Sequence, residues 1–316
     1  SYRDAGVDLE AARRHTEAIA GLVGGRTGFA AALPLPPGLE EPLLVTCADG
    51  VGTKVLLARE LGRIEGLGQD LVAMCVNDLA CTGARPLAFL DYLAVGRLEP
   101  EVTAALVRSV AAACEAAGCA LAGGETAEMP GLYAPGHFDL AGFAVGVVER
   151  ARALGPDRVR AGDAIVGIPS SGLHSNGFSL VRALVEEGSL PADPDLLLTP
   201  TRLYADVPER LRAAGVDPRS AAHVTGGGLP ENLPRALPEG LRAVLDPGAW
   251  ERGAAMEAVL ATGRVEPDEA WRTFNMGLGM CVVVAPDDAA AAAAALGDAR
   301  VVGRVDRGAR GVVLGP

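Results

Sequence analysis

The strongest constraint on the fold is that the chain follows one order of elements twice: an apolar strand, a glycine-containing turn and a helix. In the first half, residues 43–48 are a predicted buried strand that runs into a turn at residues 49–54. In the second half, the predicted strand 164–168 runs into the polar turn 170–177. The charged stretch 149–162 between them contains Gly-Pro-Asp, which is typical of a domain boundary. This repeated order predicts two α/β or α+β domains.

We place the two domains at residues 1–154 and 155–316, and 316 residues are enough for two domains of ordinary size. Apolar periodicity further predicts helices at 8–22, 70–83, 100–117, 178–187, 202–214 and 289–295, and strands at 86–94, 120–122 and 139–148. On the second of these helices, Asp70 and Asn77 are predicted to lie opposite the apolar face, with Asp78 on its flank.

Charge and composition exclude several classes of function. The 28 basic and 40 acidic residues give a net charge of −12, which argues against a broad nucleic-acid surface. No CxxC pair occurs and the four histidines are scattered, so a zinc site is not expected. The longest apolar stretch near the C-terminus, residues 276–285, is too short to span a bilayer, and residues 1–6 lack a signal-peptide pattern. We therefore expect a cytoplasmic protein that binds neither nucleic acid nor membrane.

The basic residues are almost all arginine, and Lys54 is the only lysine in the chain. It ends the segment Asp49-Gly50-Val51-Gly52-Thr53-Lys54, which directly follows a predicted strand. Paired glycines let backbone N–H groups approach an anion, and lysine and arginine differ in shape at a tight phosphate site. The spacing matches neither a Walker A loop nor a dinucleotide fingerprint. A plain turn remains the alternative, but the combination favours a phosphate and metal site.

Acidic residues recur at the ends of apolar segments, where each could be a solvated cap. Asp78 stands out because it follows Asn77 on a predicted helix, and Glu125 because it follows two glycines at a predicted strand end. Carboxylates together with substrate phosphates are the ligands that Mg²⁺ prefers. The sequence therefore offers Asp49, Asp78 and Glu125 as candidate metal ligands.

Two polar loops in the second half could cradle a phosphate or sugar. The first contains Ser171, Gly172, His174, Ser175 and Asn176, and the second contains Thr225, Gly226 and Gly227. The first could instead be a simple N-cap loop, although it has more short polar side chains than a cap needs. His223 alone is a weak candidate.

Several long segments resemble one enzyme family. They are residues 1–8, 49–54, 70–79, 123–131, 170–177, 223–228 with Glu231 and Asn232, and 272–277. In these segments, which run nearly end to end, the chain resembles the phosphoribosylformylglycinamidine cyclo-ligases, also called aminoimidazole ribonucleotide synthetases. The resemblance implies an α+β fold of two α/β-type domains. The N-terminal domains would pair into the barrel-like core of a homodimer, with ATP sites near that interface, and the C-terminal domain would hold a mixed sheet with helices.

The resemblance also implies an ATP-dependent ring closure of formylglycinamidine ribonucleotide to aminoimidazole ribonucleotide. ATP would phosphorylate the formamide oxygen, and the neighbouring nitrogen would then attack the same carbon and expel phosphate. Because an amide oxygen is a poor leaving group, phosphorylation is what makes the closure possible. The protein would contribute mainly positioning and charge neutralisation.

Residue roles follow from the same resemblance. Asp49, Asp78 and Glu125 would hold Mg²⁺, and Lys54 with Asp49 would act at the transferred phosphoryl group. Asp70 and Asn77 would line the nucleotide site, whose loop is shaped by Gly50, Gly52 and Thr53. The two second-half loops (Ser171, Gly172, His174, Ser175 and Asn176, with Thr225, Gly226 and Gly227) would bind the substrate. One departure is that the glycine-rich segment 24–29 has fewer glycines than is usual in the family, and this segment could be a mobile loop over a ligand or merely a surface connection.

Three alternatives belong to the same superfamily. A selenophosphate synthetase needs an N-terminal reactive cysteine, whereas the first cysteine here is Cys47 in a predicted strand. A thiamine-monophosphate kinase fits the second-half loops less well. A non-catalytic nucleotide-binding scaffold ending in a reactive cysteine does not match the terminal Leu314-Gly315-Pro316.

Overall fold

A computed structural model of the protein describes residues 8–22, 26–27 and 30–315. Most of the glycine-rich segment 24–29, residues 1–7 and the last residue lie outside this part. The strands are β1 Arg26–Thr27, β2 Ala30–Ala31, β3 Pro42–Gly50, β4 Arg85–Val95, β5 Ala120–Glu128, β6 Phe138–Glu149, β7 Ala164–Pro169, β8 Ser220–His223, β9 Leu241–Leu245, β10 Leu278–Val284, β11 Arg300–Arg307 and β12 Val312–Leu314. The α-helices are α1 Leu9–Ile19, α2 Lys54–Glu60, α3 Leu67–Cys81, α4 Pro100–Ala117, α5 Phe178–Glu186, α6 Pro194–Leu197, α7 Val207–Ala213, α8 Gly228–Asn232, α9 Ala254–Ala261, α10 Pro267–Thr273 and α11 Ala289–Leu296.

The first half of the chain forms a four-stranded sheet in the order β3-β6-β4-β5. β4 and β5 are parallel, and β6 is antiparallel to both of its neighbours. Helices α3 and α4 pack together and cover one face of this sheet, while α1 packs on α4. Proline at the first position of α4 and Gly118 in the left-handed region after its last turn account for both ends of that helix. The helix predicted at 100–117 is therefore confirmed.

The second half forms a six-stranded mixed sheet in the order β12-β9-β11-β7-β10-β8. Successive residues of β7 face opposite sides, and each side has its own apolar layer. Ile165 packs with residues of α8, whereas Val166 packs with residues of α7 and α11. The alanine-rich stretch predicted as a surface helix is α11, which lies between β10 and β11.

Three predictions were wrong in detail. Strand 43–48 is present, but it is an edge strand, and Leu44 on its outer face is 65% exposed rather than buried. The strand predicted at 120–122 is longer, because β5 continues through Gly123 and Gly124 to Glu128 in its pairing with β4. The helix predicted at 202–214 begins only at Val207, since the main chain of Arg202 and Tyr204 bonds to Asn77 on α3 and residues 201–204 have no regular secondary structure.

In the described part of the chain, no helix is both long and apolar enough to cross a membrane.

Candidate functional site

Helix α3 is buried on nearly all sides, and two of its buried polar residues, Asp70 and Asn77, bond to the second half of the chain. Asp70 Oδ1 accepts hydrogen bonds from the backbone N–H (2.8 Å) and hydroxyl (2.6 Å) of Thr201. Asn77 donates to the Arg202 carbonyl (2.9 Å) and accepts from the Tyr204 N–H (2.7 Å). Both side chains are fully buried. Residues predicted to line a nucleotide site thus bond here to the 201–204 segment.

Lys54 begins α2 and is also fully buried. Its Nζ lies 2.8 Å from Asp70 Oδ2 and donates to Oδ1 (2.9 Å). It also donates to the carbonyls of His174 (2.9 Å) and Thr199 (3.0 Å). Burial lowers the Lys54 pKa, and the Asp70 charge acts in the opposite direction. Three protein partners therefore surround the ammonium group that was predicted to face a phosphate.

A cluster of two carboxyl groups and an imidazole lies at the end of β3, where Asp49 approaches α3. Burial raises the Asp49 pKa, the Gly50 N–H lowers it, and the charge of the nearby Asp78 raises it further. The Asp78 side chain is 38% exposed, and its Oδ1 lies 3.0 Å from His223 Nδ1. The other ring nitrogen of His223 lies 3.3 Å from Asn77 Nδ2, an amide donor. That ring nitrogen therefore accepts, and His223 Nδ1 donates to Asp78.

Glu125 lies apart from these two carboxyl groups within one chain. Asp49 is on β3 and Glu125 is on β5, with β6 and β4 between them. Three strand spacings correspond to about 14 Å. Among the residues that the structure describes, no group of three His, Cys, Asp or Glu side chains could hold a metal ion. The chain brings two of the three predicted metal ligands together and leaves the third across the sheet.

The loop 170–177 holds His174 in an unusual conformation. Its φ is 59°, in the left-handed region that side-chain-bearing residues rarely adopt, and its side chain is fully buried. The ring Nε2 accepts from the Ser171 N–H (3.2 Å), and Nδ1 is buried without a partner in the described chain. Burial, followed by the charges of His223 and Lys54, lowers the His174 pKa well below its usual range. The imidazole is thus neutral, with an unused N–H at Nδ1.

The 170–177 loop contacts two other loops of the C-terminal half. Asn275 Nδ2 donates to the Gly172 carbonyl (2.8 Å), which joins the 275–277 bend to the 170–177 loop. Asn176 lies beside the 225–228 loop, where a Cβ at Gly226 would be 3.6 Å from its Oδ1. Asn176 Nδ2 is buried and has no partner among the described residues. Two unused polar donors, on His174 and Asn176, therefore lie in one loop.

Other predicted residues mostly bond within the protein. The Thr53 hydroxyl lies 3.1 Å from the Ser179 hydroxyl, which connects the 49–54 turn to α5. Ser171 donates to the Pro200 carbonyl (2.6 Å), and the Ser175 hydroxyl lies 3.3 Å from that of Thr201. Gly52 has a φ of 69°, so a side chain there would be strained. The 49–54 turn and the 170–177 loop are thus joined across the two halves.

The sequence interpretation missed the segment 199–204, which supplies most partners of α3 and Lys54. It belongs to no glycine-rich or polar motif and was predicted in part as helix. Its contacts depend largely on the carbonyls of Thr199 and Arg202, which any residue can supply, and on the Tyr204 N–H, which any residue except proline can supply.

Comparison with known proteins finds one family along nearly the whole chain. Residues 21–148 match the family described as "AIR synthase related protein, N-terminal domain", and residues 160–315 match the corresponding C-terminal domain. The chain is 48% identical to the phosphoribosylformylglycinamidine cyclo-ligase of Myxococcus xanthus, over 98% of this chain and 96% of that one. It is 50% identical to the protein of the same name from Thermosynechococcus vestitus, over 92% and 91%.

Solved structures confirm the fold. A hydrogenase maturation protein HypE in complex with ATP superposes with a TM-score of 0.74 and 20% identity, over 98% of this chain and 93% of that one. The thiamine-monophosphate kinase of Stenotrophomonas maltophilia superposes with a TM-score of 0.65 and 23% identity, over 98% and 96%. At such identities the likeness concerns the fold alone, and the predicted mixed α/β fold of two domains is confirmed.

Proposed function

Because this chain belongs to the phosphoribosylformylglycinamidine cyclo-ligase family, we propose that it converts formylglycinamidine ribonucleotide and ATP into aminoimidazole ribonucleotide, ADP and phosphate. The observation that carries this proposal is the near-complete coverage at 48% identity, which includes both domains. The enzyme is therefore an ATP-dependent ligase that forms a C–N bond. The distant kinase and maturation protein share only the fold, so they favour neither alternative activity.

The reaction transfers the γ-phosphoryl group of ATP to the formamide oxygen of the substrate. The neighbouring amidine nitrogen then bonds to the formyl carbon, the C–O bond breaks, and the oxygen leaves as part of phosphate. The nitrogen loses a proton as the ring becomes aromatic. These reaction steps require that the two reactants are oriented and that developing negative charge is stabilised. Fixed polar groups around the site can supply both.

The carboxyl groups of Asp49 and Asp78 fit a magnesium ion on the nucleotide phosphates. Mg²⁺ is commonly held by one or two carboxylates together with substrate phosphates and water. Asp49 has a raised pKa that a nearby cation would lower again, and Asp78 is partly open to solvent. When bound, the ion would neutralise phosphate charge during transfer. Glu125 remains a proposed ligand only if a second copy of the chain brings it near.

The loop 170–177 is the proposed substrate site, with Thr225, Gly226 and Gly227 beside it. The unused donors of His174 and Asn176 suit the acceptor atoms of a formamide, an amidine or a ribose. His174 is neutral, so it can donate from Nδ1 without placing a positive charge beside the substrate. We propose that residues 1–154 form the nucleotide-binding and dimerisation domain and that residues 155–316 form the substrate-side domain.

We propose that the outer face of the N-terminal sheet pairs with a second copy of the chain. Sheet register places Ala48, Phe143 and Leu90 side by side on that face, and Leu44 lies on the same face four residues before Ala48 on β3. Phe143 is 46% exposed and Leu90 is 37% exposed. Contiguous exposed apolar side chains on a sheet are typical of protein interfaces. A homodimer would cover them.

The test is ADP release by the purified protein with ATP, Mg²⁺ and formylglycinamidine ribonucleotide, together with detection of aminoimidazole ribonucleotide. We expect ADP and the ring-closed product in equal amounts. Thiamine monophosphate and selenide serve as control substrates. ADP release with either control, and none with the formylglycinamidine compound, would overturn the proposal.

A further inference from the structure

We infer that Lys54 is a positioning residue that holds the backbone of His174, and that it does not contact the transferred phosphoryl group. The part of the inference that makes His174 important for activity rests on the proposed function. The relation between Lys54 and His174 is independent of any activity. The lysine belongs to the first domain and the histidine to the second, so the contact fixes one half of the site on the other.

The bonding of Lys54 leaves no donor for a phosphate. An ammonium group has three N–H donors, and the acceptors are Asp70, the His174 carbonyl and the Thr199 carbonyl. The distances are 2.9, 2.9 and 3.0 Å. The side chain is 1% exposed, and the Phe178 ring centroid lies 5.4 Å from Nζ. A phosphate could reach Nζ only after one of these bonds broke.

Asp70 makes this buried ammonium group possible. Its carboxylate balances the lysine charge and is itself held by the N–H and hydroxyl of Thr201. All of these hydrogen bonds go to Oδ1, whereas Oδ2 has only the 2.8 Å ion-pair contact with Nζ, and a buried charge is tolerated when it is paired in this way. A planar guanidinium group spreads its donors in a fork and cannot converge on three acceptors around one point. This geometry explains why lysine persists at one position of a chain that otherwise uses arginine.

The bond to His174 stabilises a backbone that would otherwise be disfavoured. His174 has a φ of 59°, and a residue with a side chain keeps such a conformation only when its surroundings enforce it. Lys54 provides a charge-assisted hydrogen bond to the carbonyl of that residue. The same conformation places the imidazole so that Nδ1 stays unused. Lys54 therefore sets the direction of the imidazole through the main chain.

A single lysine allows a direct test in the intact protein. Labelling lysine with ¹³C at the ε carbon gives one side-chain resonance, which belongs to Lys54. We expect this resonance to stay in place when Mg²⁺ and a non-hydrolysable ATP analogue bind, and to move in the Asp70→Asn variant. Binding of the analogue is monitored independently by calorimetry. A clear shift of the lysine resonance on analogue binding would overturn the inference.

The Lys54→Met variant tests the effect on His174. The matched control is Arg59→Met, which changes a basic residue further along the same helix, α2. We expect the His174 imidazole resonances to shift or broaden in Lys54→Met and to be unchanged in Arg59→Met. We also expect at least a tenfold loss of kcat in Lys54→Met, with a KM for ATP within about threefold. Unchanged His174 resonances in a folded Lys54→Met protein would contradict the inference.

Should Lys54→Met not fold, Lys54→Arg carries the same test, since it keeps the charge and loses the geometry. A positioning function predicts disturbed His174 resonances in this variant too, whereas normal resonances would contradict it. The resonance measurements need no turnover. Absence of cyclo-ligase activity in the wild type would therefore refute the proposed function. The inference about Lys54 would still be decided by the resonance measurements.

Discussion

His223 Nδ1 lies 3.0 Å from Asp78 Oδ1, and this bond joins the end of β8 to a carboxyl group whose charge acts on Asp49. The imidazole is fixed from its other side by Asn77, so the direction of the Asp78 carboxylate depends on both domains. A metal ligand held by such an outer partner presents its oxygen atoms in a fixed orientation. The histidine that the sequence ranked as a weak candidate thus has a defined position in the proposed metal site.

The first prediction concerns His223→Ala. Loss of the imidazole frees Asp78 to rotate, so we expect the Mg²⁺ concentration for half-maximal turnover to rise by about tenfold or more. The measurement is a magnesium titration of ADP release at saturating ATP. His137→Ala, which changes an exposed histidine, is the control and should behave as the wild type. An unchanged magnesium requirement in His223→Ala would show that the bond between His223 and Asp78 does not contribute to metal binding.

The second prediction concerns the stability of the Lys54 and Asp70 pair. Lys54→Met leaves a buried carboxylate without its cation, and we expect the free energy of unfolding to fall by about 3–5 kcal/mol. The double variant with Asp70→Asn removes the uncompensated charge and should recover part of this loss. Urea unfolding of the wild type, both single variants and the double variant measures the coupling. Losses that simply add in the double variant would argue against a direct interaction.

The third prediction follows from the lowered pKa of His174. Its folded-state pKa lies below the unfolded value, so the unfolded chain binds the proton more readily once the pH falls below about 6.5. The stability that depends on a neutral His174 is therefore present above this pH and is lost as the pH falls. Each pH unit below it costs at most about 1.4 kcal/mol for one proton.

We expect the free energy of unfolding of the wild type to fall more steeply between pH 7 and pH 5 than that of His174→Gln. The difference between the two proteins removes the contribution of other titrating groups. A difference that stays constant over this range would mean that His174 titrates normally in the folded protein.

The fourth prediction concerns the exposed face of the N-terminal sheet. Leu44→Asp places a charge among the apolar side chains and should shift the protein toward monomers in sedimentation velocity. Leu132→Asp is the control, because Leu132 is similarly exposed, at 68%, and lies in the turn after β5. We expect that variant to sediment as the wild type does. A wild-type protein that is monomeric at micromolar concentration would refute the proposed homodimer.

Elements with strong local signals could be predicted from the sequence. Proline and glycine at the two ends of α4 define that helix without any tertiary contact. The strand β5 could not be predicted through Gly123 and Gly124, because glycine has no strand preference and pairing with β4 decides the conformation there. The exposure of Leu44 depends on sheet order, which is a property of the whole domain.

The candidate site, like the fold, could be predicted from the sequence only in part. The motif around Asp49 and the loop with His174 have polar and glycine-rich patterns, and both lie where the two domains meet. The bonds of Asp70, Asn77 and Lys54 to the second half of the chain were out of reach, because these partners lie 120 or more residues away and are mostly main-chain atoms. Such partners leave no pattern in the residues that bind them.

The proposed mechanism carries the formyl oxygen of the substrate into the phosphate that is released. It is tested most directly with formylglycinamidine ribonucleotide that carries ¹⁸O in the formyl group, by mass spectrometry of the phosphate that is released. We expect one labelled phosphate, carrying a single ¹⁸O atom, for every aminoimidazole ribonucleotide formed. Product formation with unlabelled phosphate, and ¹⁸O recovered in water, would contradict it.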